Sequence, residues 1–462
     1  MSLMSPTSPL EIPGLLRRIS HFVTTKDAVA CAQVSKTWSN HFTSTIWHSI
    51  DFCIHKKLLK TDTKAFTRYG HHIRVVKNIS THHHILVLLL SNTSKLKRLS
   101  IMMTASQKYY AHVSDLLRRI NTTIEHIEIR QPTNDQVPFF PVDCLFPVSD
   151  SKATSRLSSL EIKGLTMTRS AFSSLLRNCP SLHTIEIRDS TMATLPTFDR
   201  PHPDGDYYPH QGVAELAAGF GQVFCTKGAP SLLAHFPNLI SWETWAFPAP
   251  SESSVDKLKS EVTSYCPILR ELWTRDPAPM ASSMIAQAFK NLKTIGVEQD
   301  KLSAELVMAI LHHEDTLEIF CTFRDEDILD GLDMAPMDES NPLEAGWIIQ
   351  SIPRLCTRLK ELELPCYEMS MSDIEKSKWV CHNLSSLCIR VQGLNTKEKI
   401  DRTIQLWNDG RRLREDIRSD GEKQNIGIPA SDNSIEARFA RHLLKFEKLK
   451  KVWIGWKVRR AT

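Results

Sequence analysis

Long apolar runs and catalytic signatures are both missing from this sequence. No stretch approaches the about 18 apolar residues that a membrane-spanning helix needs, and the N-terminus lacks the basic and then apolar segments of a secretory signal. No phosphate-binding glycine loop, nucleophile elbow or paired acid and base is recognisable. We therefore expect neither a membrane partner nor enzymatic activity.

Strong charge of one sign is also absent, since the net charge is only +5 over 462 residues. This balance gives no reason to expect nucleic acid as a partner. Eleven cysteines without a secretory signal favour a reducing compartment, the cytoplasm or the nucleus, with buried thiols in place of disulfides. The histidines at 82–84 and 312–313 lack the spacing of a zinc site, so neither a metal nor another cofactor is expected.

What the sequence contains instead is a repeated phrase. An apolar residue, two variable residues, an apolar residue, one variable residue and a last apolar residue recur in eleven copies, some of them degenerate. Seven of the ten intervals between copies lie between 23 and 33 residues, which indicates a structural repeat. The copies begin at Leu96, Ile124, Leu157, Leu182, Leu239, Leu269, Leu292, Leu317, Leu359, Leu384 and Leu449.

The phrase suits a short strand with one buried face, because its last two apolar positions are two residues apart. Segments of helical length lie between copies, at 170–179, 256–266, 303–313 and 436–446. A helix followed by a strand, stacked on similar neighbours, predicts an α/β solenoid with a curved parallel sheet and helices on its convex side. This pattern resembles irregular leucine-rich repeats, to which we assign residues 96–462.

Three intervals are longer than the others and predict inserted loops, near residues 190–230, 324–344 and 395–434. The first has room for a hidden degenerate repeat, and the second contains eight acidic residues and one basic residue. An acidic run of this kind is usually a solvated loop, although it could also bind a basic partner. We expect related proteins to differ most at these loops.

The first fifty residues follow a different pattern, which predicts three short helices. Leu15, Leu16, Ile19, Phe22 and Val23 are spaced to share one helical face. Thr24 and Asp27 fit the cap of a second helix that runs to Trp38, and a third helix would carry Phe42, Ile46 and Trp47. Fewer than fifty residues cannot bury all this apolar surface among themselves. The remaining apolar surface must therefore contact a partner or the first repeat.

This segment resembles the F-box, and we assign residues 8–52 to it. The matching positions are Ile12-Pro13, Leu15-Leu16, Ile19, Val23, Asp27-Ala28-Val29, Val34, Trp38 and Ile46-Trp47. The family pattern has Glu where Gly14 stands, Leu at Ile12 and Ala28, and Cys at Ser35. Residues 53–95 would form a connecting segment with a first imperfect repeat.

An F-box followed by leucine-rich repeats is similar to a family of receptors that is expanded in fungi. The resemblance implies a non-catalytic subunit of an SCF-type ubiquitin ligase, in which the F-box docks a Skp adaptor, and through it a cullin, while the repeats bind a target protein. The implied adaptor-binding residues are Ile12, Pro13, Leu15, Leu16, Ile19, Val29, Val34 and Trp38.

The alternative is a leucine-rich-repeat scaffold outside the ubiquitin system, in which the F-box-like helices only cap the solenoid. Exposure of Leu15, Ile19 and Val29 would favour the receptor over the scaffold.

The variable strand positions should face away from the core, onto the concave surface. Tryptophans among charged residues are typical of binding hot spots, so we predict target binding at Arg188, Glu243, Trp245, Glu271, Trp273, Arg275 and Trp453. The alternative is burial, either under an inserted loop or through a strand register shifted by one residue.

Overall fold

The repeated phrases form strands that follow one another in chain order. The computed structural model describes residues 13–55, 63–104, 106–131, 155–164, 175–188, 209–219, 232–245, 252–275, 288–298, 304–323, 350–420, 428–429 and 431–454. The chain divides into two compact units, of which the first is Met1–Ala217 with Gln222–Pro237 and the second is Ala218–Gly221 with Asn238–Thr462.

The first unit begins with three helices, as predicted, but the second ends at Ala32, so that Trp38 belongs to the third helix and not to the second. They are α1 (Pro13–Ser20), α2 (Thr25–Ala32) and α3 (Lys36–Ile46). The Thr24 hydroxyl accepts a hydrogen bond from the Asp27 N–H at 3.2 Å, which confirms the predicted cap of α2. Ser35 caps α3 in the same way through the Trp38 N–H, also at 3.2 Å.

The rest of the first unit alternates strands with helices. The strands are β1 (Ser49–Asp51), β2 (Val75–Ile79), β3 (Arg98–Met102), β4 (His126–Arg130), β5 (Ser159–Lys163), β6 (Thr184–Arg188) and β7 (Glu215–Ala218), whose last residue is assigned to the second unit. The helices are α4 (Thr63–Tyr69), α5 (His82–Leu90) and α6 (Gln107–Ile120), with short 3-10 turns at Gly70–His72 and Leu232–His235. Strands β1 to β6 pair in parallel, each with the next along the chain.

The second unit has the same alternation. Its strands are β8 (Ser241–Thr244), β9 (Glu271–Thr274), β10 (Thr294–Glu298), β11 (Ile319–Phe323), β12 (Glu361–Met369), β13 (Ser386–Val391) and β14 (Lys451–Ile454). Its helices are α7 (Glu252–Tyr265), α8 (Ala304–Leu311), α9 (Met371–Lys376), α10 (Lys397–Asp420) and α11 (Ile435–Leu443). All six strand pairs are parallel. The fold is therefore the predicted α/β leucine-rich-repeat solenoid.

One backbone contact recurs from repeat to repeat. The carbonyl just before most of the strands accepts two N–H groups from the next repeat, as when Arg74 O binds Lys97 N at 2.8 Å and Arg98 N at 2.9 Å. We call this contact the shared carbonyl. Within the described residues, the acceptors are His48, Arg74, Lys97, Glu125, Ser158, His183, Ile240, Arg270, Lys293, Glu318, Lys360 and Ser385.

Alternate strand residues lie on two different faces. In β5, Leu160 and Ile162 are buried, whereas Ser159, Glu161 and Lys163 are partly exposed. We call the face with the partly exposed residues the open face. The apolar positions of the phrase supply the core, as the alternation of two residues requires.

The structure corrects the prediction of three inserted loops. Residues 397–420, inside the third predicted loop, form the 24-residue helix α10. It buries Thr403, Trp407 and Gly410, which are spaced by four and three residues and therefore share one helical face. The first predicted loop contains β7, the hidden repeat, while residues 324–344 lie outside the described residues.

Candidate functional site

The helical bundle α1–α3 has a small core of its own. Leu16, Ala28 and Phe42 are fully buried, and Ile19, Val23, Cys31, Ala32, Trp38 and Ile46 pack against them. The Trp38 indole stacks on the Phe42 ring, with the ring centroids 5.5 Å apart. The inward side of the bundle is thus complete without a partner.

Four large apolar residues of the bundle remain exposed. The exposed fractions are 38% for Leu15, 43% for Val29, 65% for Val34 and 88% for Phe22. Together they are the exposed apolar residues of the bundle. Another protein can cover the exposed parts of these side chains without disturbing the core of the bundle, so they are suited to binding.

The predicted adaptor-binding residues thus fall into two groups. Leu15, Val29 and Val34 are exposed, whereas Leu16 is buried and Ile19 and Trp38 pack against the core of the bundle. The exposure that would favour the receptor is therefore found for Leu15 and Val29 but not for Ile19. Ile12 and the side chain of Pro13 lie outside the described residues. The sequence pattern placed Phe22 inward, but α1 ends at Ser20 and helical spacing no longer applies to it.

The bundle connects directly to the repeats. Trp47 follows α3, and its indole stacks on Tyr69 at 5.2 Å and meets the Phe66 ring edge-on at 5.4 Å. The next residue, His48, provides the first shared carbonyl, to Arg74 and Val75. Trp47 therefore takes the first apolar position of a repeat that the sequence phrase did not reveal.

On the open face of the second unit, four predicted target-binding residues lie together. Glu243 of β8 is in register with Trp273 of β9, and Trp245 and Arg275 come two residues later, directly after the ends of the two strands. Arg275 Nε donates to Glu243 Oε1 at 2.6 Å. This tryptophan–ion-pair square has the indoles on one diagonal and the ion pair on the other.

Two glycines provide the space that these indoles occupy. A Cβ atom on Gly296 would lie 2.1 Å from Trp273 Cε3, and one on Gly219 would lie 2.9 Å from Trp245 Nε1. Trp242 and Thr244 on the other face of β8 are fully buried. Trp245 and Trp273 therefore lie on the open face, and a shift of register is excluded.

The remaining predicted target-binding residues lie apart from the square. Glu271 is partly exposed at the start of β9, and Trp453 of β14 is in register with Cys388. Arg188 belongs to the first unit, where it contacts Glu186.

Arg188 is part of a charged lattice on three strands of the open face. Glu128, Glu161 and Glu186 form one row across β4, β5 and β6, and Arg130, Lys163 and Arg188 form the next. Arg130 Nη2 donates to Glu161 Oε1 at 3.2 Å. The pKa of Glu161 is raised, first by burial and then by the neighbouring carboxylates Glu186 and Glu128. Charges of both signs alternate in this lattice and largely balance.

Neither metal binding nor thiol chemistry is indicated in the part of the chain that the structure describes. No cluster of three His, Cys, Asp or Glu side chains that could hold a metal ion occurs there. The eight cysteines whose side chains the structure describes are free, and six of them are buried. None of the described helices has the length and apolarity to cross a membrane.

Comparison with known proteins gives little further information. No protein-family model matches the sequence, and no curated protein is similar to it. A chain in the crystal structure of the Rad7 and Elc1 complex in yeast is 12% identical, with a TM-score of 0.37, over 85% of this chain and 94% of that chain. Similarity at this level identifies neither a family nor a function.

Proposed function

We propose that this chain is the target-binding subunit of an SCF-type ubiquitin ligase. The exposed apolar residues of the bundle would dock a Skp adaptor, which recruits a cullin, and the leucine-rich repeats would bind the target. The observation that carries the proposal is that Leu15, Val29 and Val34 are exposed on a bundle whose core is already complete. The chain itself would be non-catalytic, since its task is to raise the local concentration of the target.

Target binding would centre on the tryptophan–ion-pair square. Its indoles offer large, partly exposed apolar surfaces, and its ion pair offers directional hydrogen-bonding groups beside them. This combination is typical of the few residues that dominate binding energy.

A second function is favoured by the packing of Trp47. Because α3 leads through Trp47 into β1, the bundle also covers the first repeat, as a capping unit would. In that case the chain is a repeat scaffold without an adaptor.

Capture of a Skp adaptor by the purified full-length chain separates the two functions. We expect the parent chain to bind and Leu15→Asp/Val34→Asp to bind at least about ten-fold more weakly, since a charge would be desolvated in an apolar contact. Leu355→Asp/Leu413→Asp is the matched control, because these leucines are 46% and 41% exposed in the second unit. A folded parent that captures no adaptor would leave the scaffold as the function.

A further inference from the structure

The N-terminal edge of the first unit's sheet carries excess positive charge. Arg74 precedes β2, and Lys97 and Arg98 stand at the start of β3, with Lys95 just before them. We call these four residues the basic patch. The shared carbonyl of Arg74 fixes their spacing, because it binds the N–H groups of both Lys97 and Arg98.

Most cations of the basic patch lack a carboxylate. Lys97 Nζ lies 2.7 Å from Glu125 Oε1, whereas the Arg74 guanidinium donates to the backbone carbonyls of His71 and Ile73 at 2.8 and 3.1 Å. Neither Lys95 nor Arg98 forms an ion pair within the described residues, and both are exposed. The lattice on β4–β6 differs in this respect, since both of its arginines contact glutamates.

Nearby imidazoles respond to the same positive field. The pKa of His72 is lowered first by burial and then by His71, Arg74 and Lys95. Burial and then Arg98 lower the pKa of His126, against an opposing effect of Glu128. These effects fit a continuous positive region rather than isolated side chains.

We propose that the basic patch docks an acidic segment of the target protein. The inference rests on the proposed function, because it names the chemistry of what the repeats bind. Arginine and lysine without internal carboxylate partners are available for charge-assisted hydrogen bonds to Asp and Glu side chains. Nucleic acid fits less well, since Glu125 and Glu128 beside the patch would repel a continuous phosphate backbone, whereas separate carboxylates can avoid them.

The test measures binding of a labelled acidic peptide to the full-length chain by fluorescence anisotropy. The peptide contains about six Glu, and a matched peptide has Gln in their place. We expect Lys95→Glu/Arg98→Glu to weaken binding of the acidic peptide by about ten-fold or more. The control is Lys26→Glu/Lys108→Glu, which makes the same change in net charge at exposed positions on α2 and α6 and should stay within about two-fold of the parent.

Three results would overturn the proposal. The parent could bind both peptides equally, or both double variants could lose binding alike, which would show an effect of net charge alone. A single-stranded oligonucleotide could bind more tightly through the same residues, which would replace the protein partner with nucleic acid. Adaptor capture, measured in parallel, tests the proposed function separately, because Lys95 and Arg98 lie outside the bundle.

Discussion

Single residues determine how the open-face tryptophans are held. Gly296 is in register with Trp273, and the Trp273 ring fills the volume that a side chain at Gly296 would take. The ring thereby gains a flat support on the neighbouring strand. Glycine at this position is thus a packing requirement of the tryptophan–ion-pair square and not a flexible point in β10.

Gly296→Ala should displace Trp273. We expect a loss of about 1–3 kcal/mol in unfolding free energy, as is usual for overpacking, measured by urea denaturation. The same substitution in a Trp273→Leu background should cost less, because the clashing ring is gone. Equal costs in both backgrounds would contradict the packing derived from the structure. Gly14→Ala is a control, since nothing lies within 4 Å of its added Cβ atom.

A buried imidazole should make the second unit sensitive to acid. His442 lies against Trp379 at 4.9 Å and Phe446 at 5.5 Å, and neither ring nitrogen has a hydrogen-bond partner among the described residues. Burial lowers its pKa to about 3 from the ordinary 6.5. Between these values the unfolded chain binds the proton and the folded chain does not, so stability falls as the pH falls.

Replacing this imidazole should therefore remove part of the acid sensitivity. In His442→Leu, the decline in unfolding free energy below pH 6.5 should be shallower than in the parent, by up to about 1.4 kcal/mol per pH unit. Stability at neutral pH should change by less than about 1.5 kcal/mol, since no hydrogen bond is lost. Urea titrations across the acid range give both quantities. Parallel pH profiles would show that His442 is protonated in the folded chain.

At the residue scale, the sequence predicted orientation better in strands than in helices. Two-residue alternation predicted Trp245 and Trp273 on the open face, with a shifted register as the alternative, and the burial of Trp242 and Thr244 excludes that shift. In α1, Leu15 and Leu16 are adjacent and equally apolar, and only the packing of Ala28 and Phe42 makes Leu16 the buried one. That choice depends on contacts between helices, which a single periodic pattern does not contain.

At the scale of elements, the repeated phrase located most strands but not all of them. β1 and β2 were missed because their phrases begin with Trp47 and Ile73, before the first leucine copy. β7 was not identified as a strand because its phrase begins with Val213 and ends with Ala218, where larger apolar residues are usual. In each case the backbone hydrogen bonds of the shared carbonyl identify the strand, although its side chains do not fit the phrase.

Proline in place of a residue whose N–H binds a shared carbonyl should disrupt the backbone contact between two repeats. Lys97→Pro removes the donor that binds Arg74 O at 2.8 Å, and we expect a loss of about 1–3 kcal/mol in unfolding free energy. Lys97→Ala keeps this N–H and loses only an exposed ion pair with Glu125, so its cost should stay below about 1 kcal/mol. Thermal and urea unfolding of the two variants compare them directly. Similar costs would mean that the side chain, not the backbone, carries the contact.

For the whole molecule, the buried cysteines report whether the repeats are intact. Burial raises the pKa of Cys179 to about 11 and that of Cys266, Cys356 and Cys381 to about 12, so thiolate is scarce at neutral pH. Cys53, in contrast, is exposed.

Alkylation of the native chain should therefore be selective. Mass-spectrometric mapping after brief treatment with iodoacetamide should find Cys53 modified and the four buried thiols intact, whereas concentrated urea should make all of them reactive. Rapid native labelling of Cys266 or Cys356 would show that the second unit opens readily.

The shared carbonyl has a consequence for how such chains diverge. Its acceptors include His, Arg, Lys, Glu, Ser and Ile, so the shared carbonyl requires no particular side chain. It requires only that the donor residue has a free backbone N–H. It is kept even where successive strands are separated by a long interval, as when Lys360 N binds Glu318 O at 2.7 Å. Chains that keep the shared carbonyl can therefore change most of their side chains and lengthen the segments between strands while the repeats stay stacked. The common origin of such chains would become undetectable in sequence alignments while the backbone hydrogen bonds still showed it.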